Sequence, residues 1–175
     1  MLKSNTTLSV ILPCYNPVDG WVENVVANFV IIKKKIPEAE LTIVNDGSVK
    51  NFNTSYLNKL IAQLPETKII EHKSNFGKGY TLREGVKNSK SDLVIYTDVD
   101  FPYTIESFME IYATLQDENA DVAIGIRGQA YYQHLSKTRT RISKLLKWFI
   151  KTFLLIPPND TQCGLKGFNQ MGKEI

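Results

Sequence analysis

This sequence predicts an α/β domain built on a mainly parallel sheet flanked by helices, and three observations carry the prediction. Four short apolar runs are nearly continuous and rich in β-branched residues, the texture of strands buried on both faces. Between them lie stretches whose apolar residues recur at helical spacing. Polar or glycine-bearing loops follow the runs, so their side chains would gather on one rim, where open α/β sheets bind ligands.

The first strand, Leu8 to Leu12, ends at Pro13. Trp21, Val22, Val25, Val26, Phe29, Val30 and Ile32 then mark a helix that stops before Pro37, because proline cannot continue a helix and restricts the residue before it. Leu41 to Val44 is the second strand, and Tyr56, Leu57, Leu60, Ile61 and Leu64 form the next helical face, closed by Pro65. Lys68 to Glu71 and Leu93 to Thr97 are the third and fourth strands, followed by helices over Tyr80 to Lys87 and Ile105 to Leu115. A fifth strand is read at Asp121 to Ile126. Strands alternating with helices imply right-handed βαβ units.

After Gly128 the texture changes. Lys137, Arg139, Arg141, Lys144, Lys147 and Lys151 thread a strongly apolar stretch, which reads as a basic amphipathic helix over about 137–156. Its wide apolar face, with Leu145, Leu146, Trp148, Phe149, Phe153 and Leu154, suits either a protein core or a membrane interface.

A chain of 175 residues fits one domain, 1–175, and its charge of +3 is too mild to argue for nucleic acid. Cys14 and Cys163 lie far apart without a C-x-x-C partner, against a disulfide framework or structural zinc. No cleavage site follows the first apolar run and no apolar stretch reaches about 18 residues, so the expectation is a cytoplasmic chain that does not span a bilayer.

Asp98-Val99-Asp100 follows the fourth apolar run. Carboxylates at i and i+2 project to one side of an extended chain, and hard oxygen ligands at a strand end suit Mg²⁺ or Mn²⁺. One aspartate could equally cap the next helix while the other is solvated. Asn45-Asp46-Gly47-Ser48 is either a capped turn or a loop whose Asp46 carboxylate accepts from a nucleobase edge. Gly77-Lys78-Gly79 opens a helix and can bring backbone and a cation to an anion, although it lacks the P-loop pattern. Arg127 and Arg141 can grip phosphate bidentately or remain solvated.

Taken in order on successive strand ends, Pro13-Cys14-Tyr15-Asn16, N-D-G-S, G-K-G and D-x-D resemble the family 2 glycosyltransferases of the GT-A (Rossmann-like) fold. Asp160-Thr161-Gln162-Cys163-Gly164-Leu165-Lys166 narrows the resemblance to the polyprenyl-phosphate sugar transferases, similar to the dolichyl-phosphate β-glucosyltransferase and dolichol-phosphate mannose synthase groups. The resemblance implies that Pro13, Tyr15 and Asp46 hold the nucleotide, with Gly77 and Lys78 near its base or phosphates. It implies that Asp98 contacts ribose or metal and Asp100 ligates Mg²⁺ or Mn²⁺. It further implies that Arg127 and Arg141 grip phosphates, that Asp160 stands near the reacting centre, and that Gln162 orients it.

The implied reaction is inverting transfer of a sugar from a UDP- or GDP-linked donor to a polyprenyl phosphate. It would occur at the cytoplasmic face of a membrane, with the amphipathic segment docked on the surface and no role for nucleic acid. Two other readings are a family 2 transferase building cell-surface polysaccharide and a non-catalytic nucleotide-sugar-binding fragment. A phosphohydrolase is disfavoured, because Pro102 stands where those enzymes carry Thr or Val and because their D-x-D follows the first strand. Phe101-Pro102-Tyr103 departs from the Leu-Gln of the mannose synthases, and the chain is expected to stop short of the full GT-A domain.

Overall fold

Short β-branched runs alternating with amphipathic stretches generate a layered α/β architecture in the computed structural model, which describes residues 6–116, 120–126 and 163–174. In chain order the elements are β1 (Leu8–Cys14), α1 (Trp21–Lys35), β2 (Ala39–Asn45), α2 (Thr54–Gln63), β3 (Lys68–Glu71), α3 (Lys78–Asn88), β4 (Leu93–Tyr96), α4 (Ile105–Gln116), β5 (Val122–Ile124), β6 (Lys166–Phe168) and α5 (Gln170–Glu174). The described strands form one sheet in the order β3-β2-β1-β4-β6-β5.

β1 pairs in parallel with both β2 and β4, and β2 with β3, as the sequence predicts. The chain therefore steps outward from β1 to β3 and returns to the other side of β1 for β4. That reversal makes the gap between the carboxyl ends of β1 and β4 the topological switch point, where open α/β sheets leave room for a ligand.

Alternation along β1 sends its side chains to two different layers. Leu8, Val10, Leu12 and Cys14 join the larger core with Trp21, Val25 and Phe29 of α1, Leu60 of α2, and Phe108, Ile111 and Leu115 of α4. Ile11 faces the opposite layer, with Val44, Val94 and Tyr96, against Leu82 and Val86 of α3. Gly85 permits the close approach of α3, since a Cβ there would stand 2.6 Å from Ile11 Cγ2. Asn53 caps α2, its side chain accepting from Ser55 N at 3.0 Å.

Two features were not read from the sequence. β6 inserts antiparallel between β4 and β5, and α5 follows it. The fifth strand is also shorter than expected, covering Val122–Ile124 rather than Asp121 to Ile126. Among the described residues no helix is long and apolar enough to cross a membrane. The amphipathic segment at 137–156 lies outside the described residues.

Candidate active site

A cleft of about 730 Å³ opens at the switch point. Pro13, Tyr15, Asp46, Gly77, Lys78, Asp98 and Asp100 all line it, so loops separated by up to 87 positions (100 − 13) converge on one cavity. Arg127, Arg141, Asp160 and Gln162 lie outside the described residues.

The loops after β1 and β2 are tied together by asparagines. Asn16 adopts φ +45°, a left-handed conformation that Asn tolerates better than most residues. Its Oδ1 accepts from Val49 N at 2.8 Å and Lys50 N at 2.9 Å, while its own N–H donates to Ser48 Oγ at 2.9 Å. Asn51 Nδ2 returns a bond to Pro17 O at 2.8 Å. Trp21, buried beneath, stacks on Phe52 at 5.5 Å and donates its ring N–H to Asn51 O at 2.8 Å. This leaves Tyr15 exposed at the mouth of the cleft, with a ring free to stack.

Asp46 does something the sequence did not show. It is only 2% exposed, and its carboxylate accepts from Phe76 N and Gly77 N at 2.9 Å each and pairs with His72 Nδ1 at 3.0 Å. Burial raises the Asp46 carboxyl, but the bonds from His72, Phe76, Gly77 and Thr81 outweigh it and the net shift is downward. A carboxylate has about four acceptor positions, so Asp46 is largely occupied in clamping the loop after β3. Gly47 lets that loop come close. Its φ is +69°, and a Cβ on it would stand 2.5 Å from Ser74 C.

The clamp fixes the start of α3. The helix begins at Lys78, two positions before the expected Tyr80 (80 − 78), so the positive end of its dipole lies at the cleft. Lys78 Nζ makes an ion pair with Asp98 Oδ1. The Lys78 ammonium thus sits on one carboxylate of the D-x-D pair. Asn24 of α1 holds the loop from the other side, donating to Asp100 O at 2.6 Å and leaving the Asp100 side chain in the cleft.

Among the described residues no group of three or more metal-ligating side chains assembles. By their chemistry, the carboxylates of Asp98 and Asp100 could serve a hard ion that takes one or two protein oxygens and completes its shell with phosphate and water. Burial pushes the Cys14 thiol up to about 12 against the lowering effect of Ser48.

Beyond this pair, Gly164 N donates to the Tyr103 hydroxyl at 2.7 Å. Burial and the neighbouring Cys163 push that hydroxyl upward, so it stays protonated at neutral pH. Sequence reasoning gave no role to Asn16, Asn24, His72, Thr81 or Tyr103. Asn16 was visible in the loop motif after β1 and Tyr103 as a departure after the D-x-D pair; the others act through contacts between distant segments.

The family model for glycosyl transferase family 2 matches residues 9–169. Dolichyl-phosphate beta-glucosyltransferase of Saccharomyces cerevisiae is 26% identical over 183 aligned residues, covering 93% of this chain and 54% of that protein. Bactoprenol glucosyl transferase of Shigella phage SfX is 28% identical over 138 residues, covering 79% and 43%. The chain thus spans about half the length of the curated relatives it matches. Glucosyl-3-phosphoglycerate synthase from Mycobacterium tuberculosis, solved with Mg²⁺ and uridine-diphosphate, superposes with a TM-score of 0.63 at 16% identity, over 99% of this chain and 58% of that one. That likeness is one of fold, and the fold is GT-A. With a family model matching nearly its full length, the chain belongs to glycosyl transferase family 2.

Proposed function

We propose that the chain is the donor-binding and catalytic part of an inverting, metal-dependent transferase that moves a hexose, glucose in the first instance, from a UDP-linked donor to a polyprenyl phosphate. The observation that carries this reading is the convergence of Tyr15, Gly77, Lys78, Asp98 and Asp100 on one cleft at the sheet's switch point. The matched yeast and phage proteins, whose names specify glucosyl transfer to dolichyl phosphate and to bactoprenol, favour glucose and a lipid acceptor.

The chemical demand is departure of a nucleoside diphosphate from the anomeric carbon. Tyr15 stacks on the base, and the tied loops after β1 and β2 hold it in place. Lys78 leaves Asp98 for the diphosphate, adding to the α3 N-terminus a positive charge whose attraction grows as negative charge develops on the leaving group. Asp98 and Asp100 would hold Mg²⁺ or Mn²⁺, which would supply positive charge to neutralise the leaving diphosphate. Asp46 acts by fixing Gly77 and Lys78, and contacts the base only if it gives up one of its present donors.

The acceptor is a phosphate monoester whose second ionisation lies near pH 6, so it is largely a dianion at neutral pH and needs no strong base. Asp160 then serves orientation and electrostatics, helped by Gln162, while Arg127 and Arg141 align the acceptor. In-line attack inverts the sugar. The basic stretch at 137–156 docks the chain on anionic membrane, at roughly 1 kcal/mol per lysine near the surface.

Incubating the intact chain with labelled UDP-glucose or GDP-mannose, polyprenyl phosphate and Mg²⁺ tests this reading. Lipid-linked label from UDP-glucose is the expected product. Label from GDP-mannose alone would reassign the donor, label in water-soluble polymer would favour polysaccharide synthesis, and donor binding without transfer would reduce the chain to a binding module.

A further inference from the structure

The donor chemistry leaves Phe101, Pro102 and Tyr103 without a task, yet they hold an unusual conformation. Phe101 has φ +44°, a left-handed backbone that a bulky side chain normally avoids, and its N–H closes a turn onto Asp98 O at 2.9 Å. Such strain persists only where the surroundings enforce it. Here the turn, with Pro102 limiting the backbone behind it, is followed by a tyrosine whose hydroxyl receives Gly164 N at 2.7 Å.

Gly164 is buried and packed against Asp98. A Cβ on it would stand 2.6 Å from Asp98 Oδ2 and 3.1 Å from the Tyr103 hydroxyl. Asp98 is therefore bracketed, with Lys78 paired to Oδ1 and the Gly164 main chain against Oδ2. Cys163, also buried, packs close to Gly125, whose added Cβ would lie 3.0 Å from its Sγ. The start of the β6 segment is thus held on one side by β5 and on the other by Tyr103.

We propose that Tyr103 is a positioning residue: by holding Gly164 against Asp98 it fixes the orientation of that carboxylate, and so sets the metal-dependent affinity for a nucleoside diphosphate. This rests on the reading of Asp98 and Asp100 as the metal anchor. Tyr103 itself is not among the residues that line the cleft. It acts as outer-shell partners do in metal sites, where loss of the orienting bond lowers affinity by about 10- to 100-fold.

Calorimetric titration of UDP into the intact chain, with and without Mn²⁺, tests the proposal in wild type, Tyr103→Phe and Gly164→Ala, alongside the melting midpoint of each. Tyr103→Phe is expected to reduce the gain in UDP affinity conferred by Mn²⁺ by about tenfold, leaving metal-free UDP binding unaltered. Gly164→Ala, which keeps the amide donor but crowds Oδ2, is expected to reduce the same gain. A lowered melting midpoint with an unchanged Mn²⁺ gain would assign the hydroxyl to stability alone and overturn the proposal. An unchanged gain in both variants does the same. If wild type shows no gain at all, the metal-anchor reading fails and takes this inference with it, whereas a wild-type gain that survives both substitutions defeats only the role of Tyr103.

Discussion

The two halves of the sheet solve different problems. From β3 to β4 the strands are parallel, and their carboxyl-end loops are cross-tied by side chains: Asn16 to the loop after β2, Asp46 to the loop after β3, and Lys78 to Asp98. On the β5 and β6 side the strands are three residues long and pair antiparallel, and beside ties such as Asn169 Nδ2 to Asp121 Oδ1 at 2.8 Å, glycines set how closely the layers approach. Gly167 shows this, since a Cβ there would stand 2.5 Å from Leu115 Cδ1 and 2.9 Å from Ile111 Cγ2. The first half presets charged groups for a ligand; the second lets α4 sit close to the sheet and brings Gly164 against Asp98.

The contrast predicts substitutions that affect binding without stability on one side, and stability first on the other. The largest effect is expected at Asp100, whose main chain is held by Asn24 while its side chain enters the cleft. Asp100→Asn should cost on the order of 100-fold in metal-dependent UDP affinity, with the urea midpoint unmoved; a shifted midpoint would blur the division. Gly167→Ala should destabilise by about 1–3 kcal/mol through overpacking against α4, read by urea denaturation, with UDP affinity retained in the folded fraction. A stable Gly167→Ala chain would break the comparison.

A smaller effect, of opposite sign for two ligands, is expected at Lys78. Lys78→Met should weaken metal-free UDP binding by about tenfold, yet strengthen binding of free Mn²⁺ because the resident cation has left Asp98. Loss of both affinities would remove Lys78 from its place as a stand-in cation. The smallest effect is confined to acid. The folded state lowers the Asp46 carboxyl, so its stabilisation is present above the ordinary carboxyl range and is lost as pH falls through the lowered value. The wild-type melting midpoint should fall steeply below about pH 4, and Asp46→Asn should show a flatter acid limb.

The parallel half was legible because its signals are local and repeated. β1 carries a near-continuous apolar run and α1 a helical stripe, and the loops between them hold residue types whose chemistry is recognisable in one sequence. β6 was opaque for the opposite reason: Lys166–Phe168 is too short to show a period, and Gly167 in its centre suits α4 rather than any strand propensity. The same division runs through the site. Asp98 and Asp100 drew notice by their spacing and both line the cleft, but the Asp46 clamp depends on His72 and on the amides of Phe76 and Gly77, which no pattern connects to β2. Tyr103 was visible only as a departure in sequence, and its hydrogen-bond partner, Gly164, lies 61 positions away.

The central claim is that a metal–nucleoside diphosphate complex binds at the carboxyl ends of β1 and β4. Paramagnetic broadening of amide resonances by Mn²⁺ with UDP, recorded on the intact ¹⁵N-labelled chain, tests it most directly. The account predicts broadening centred on Val99 and Asp100 and reaching Tyr15, Gly77, Lys78 and Gly164, while the amides of Ala39 and of α5, by the amino ends of the strands, stay sharp. Broadening centred on any other surface, or none at concentrations where UDP is bound, would contradict it.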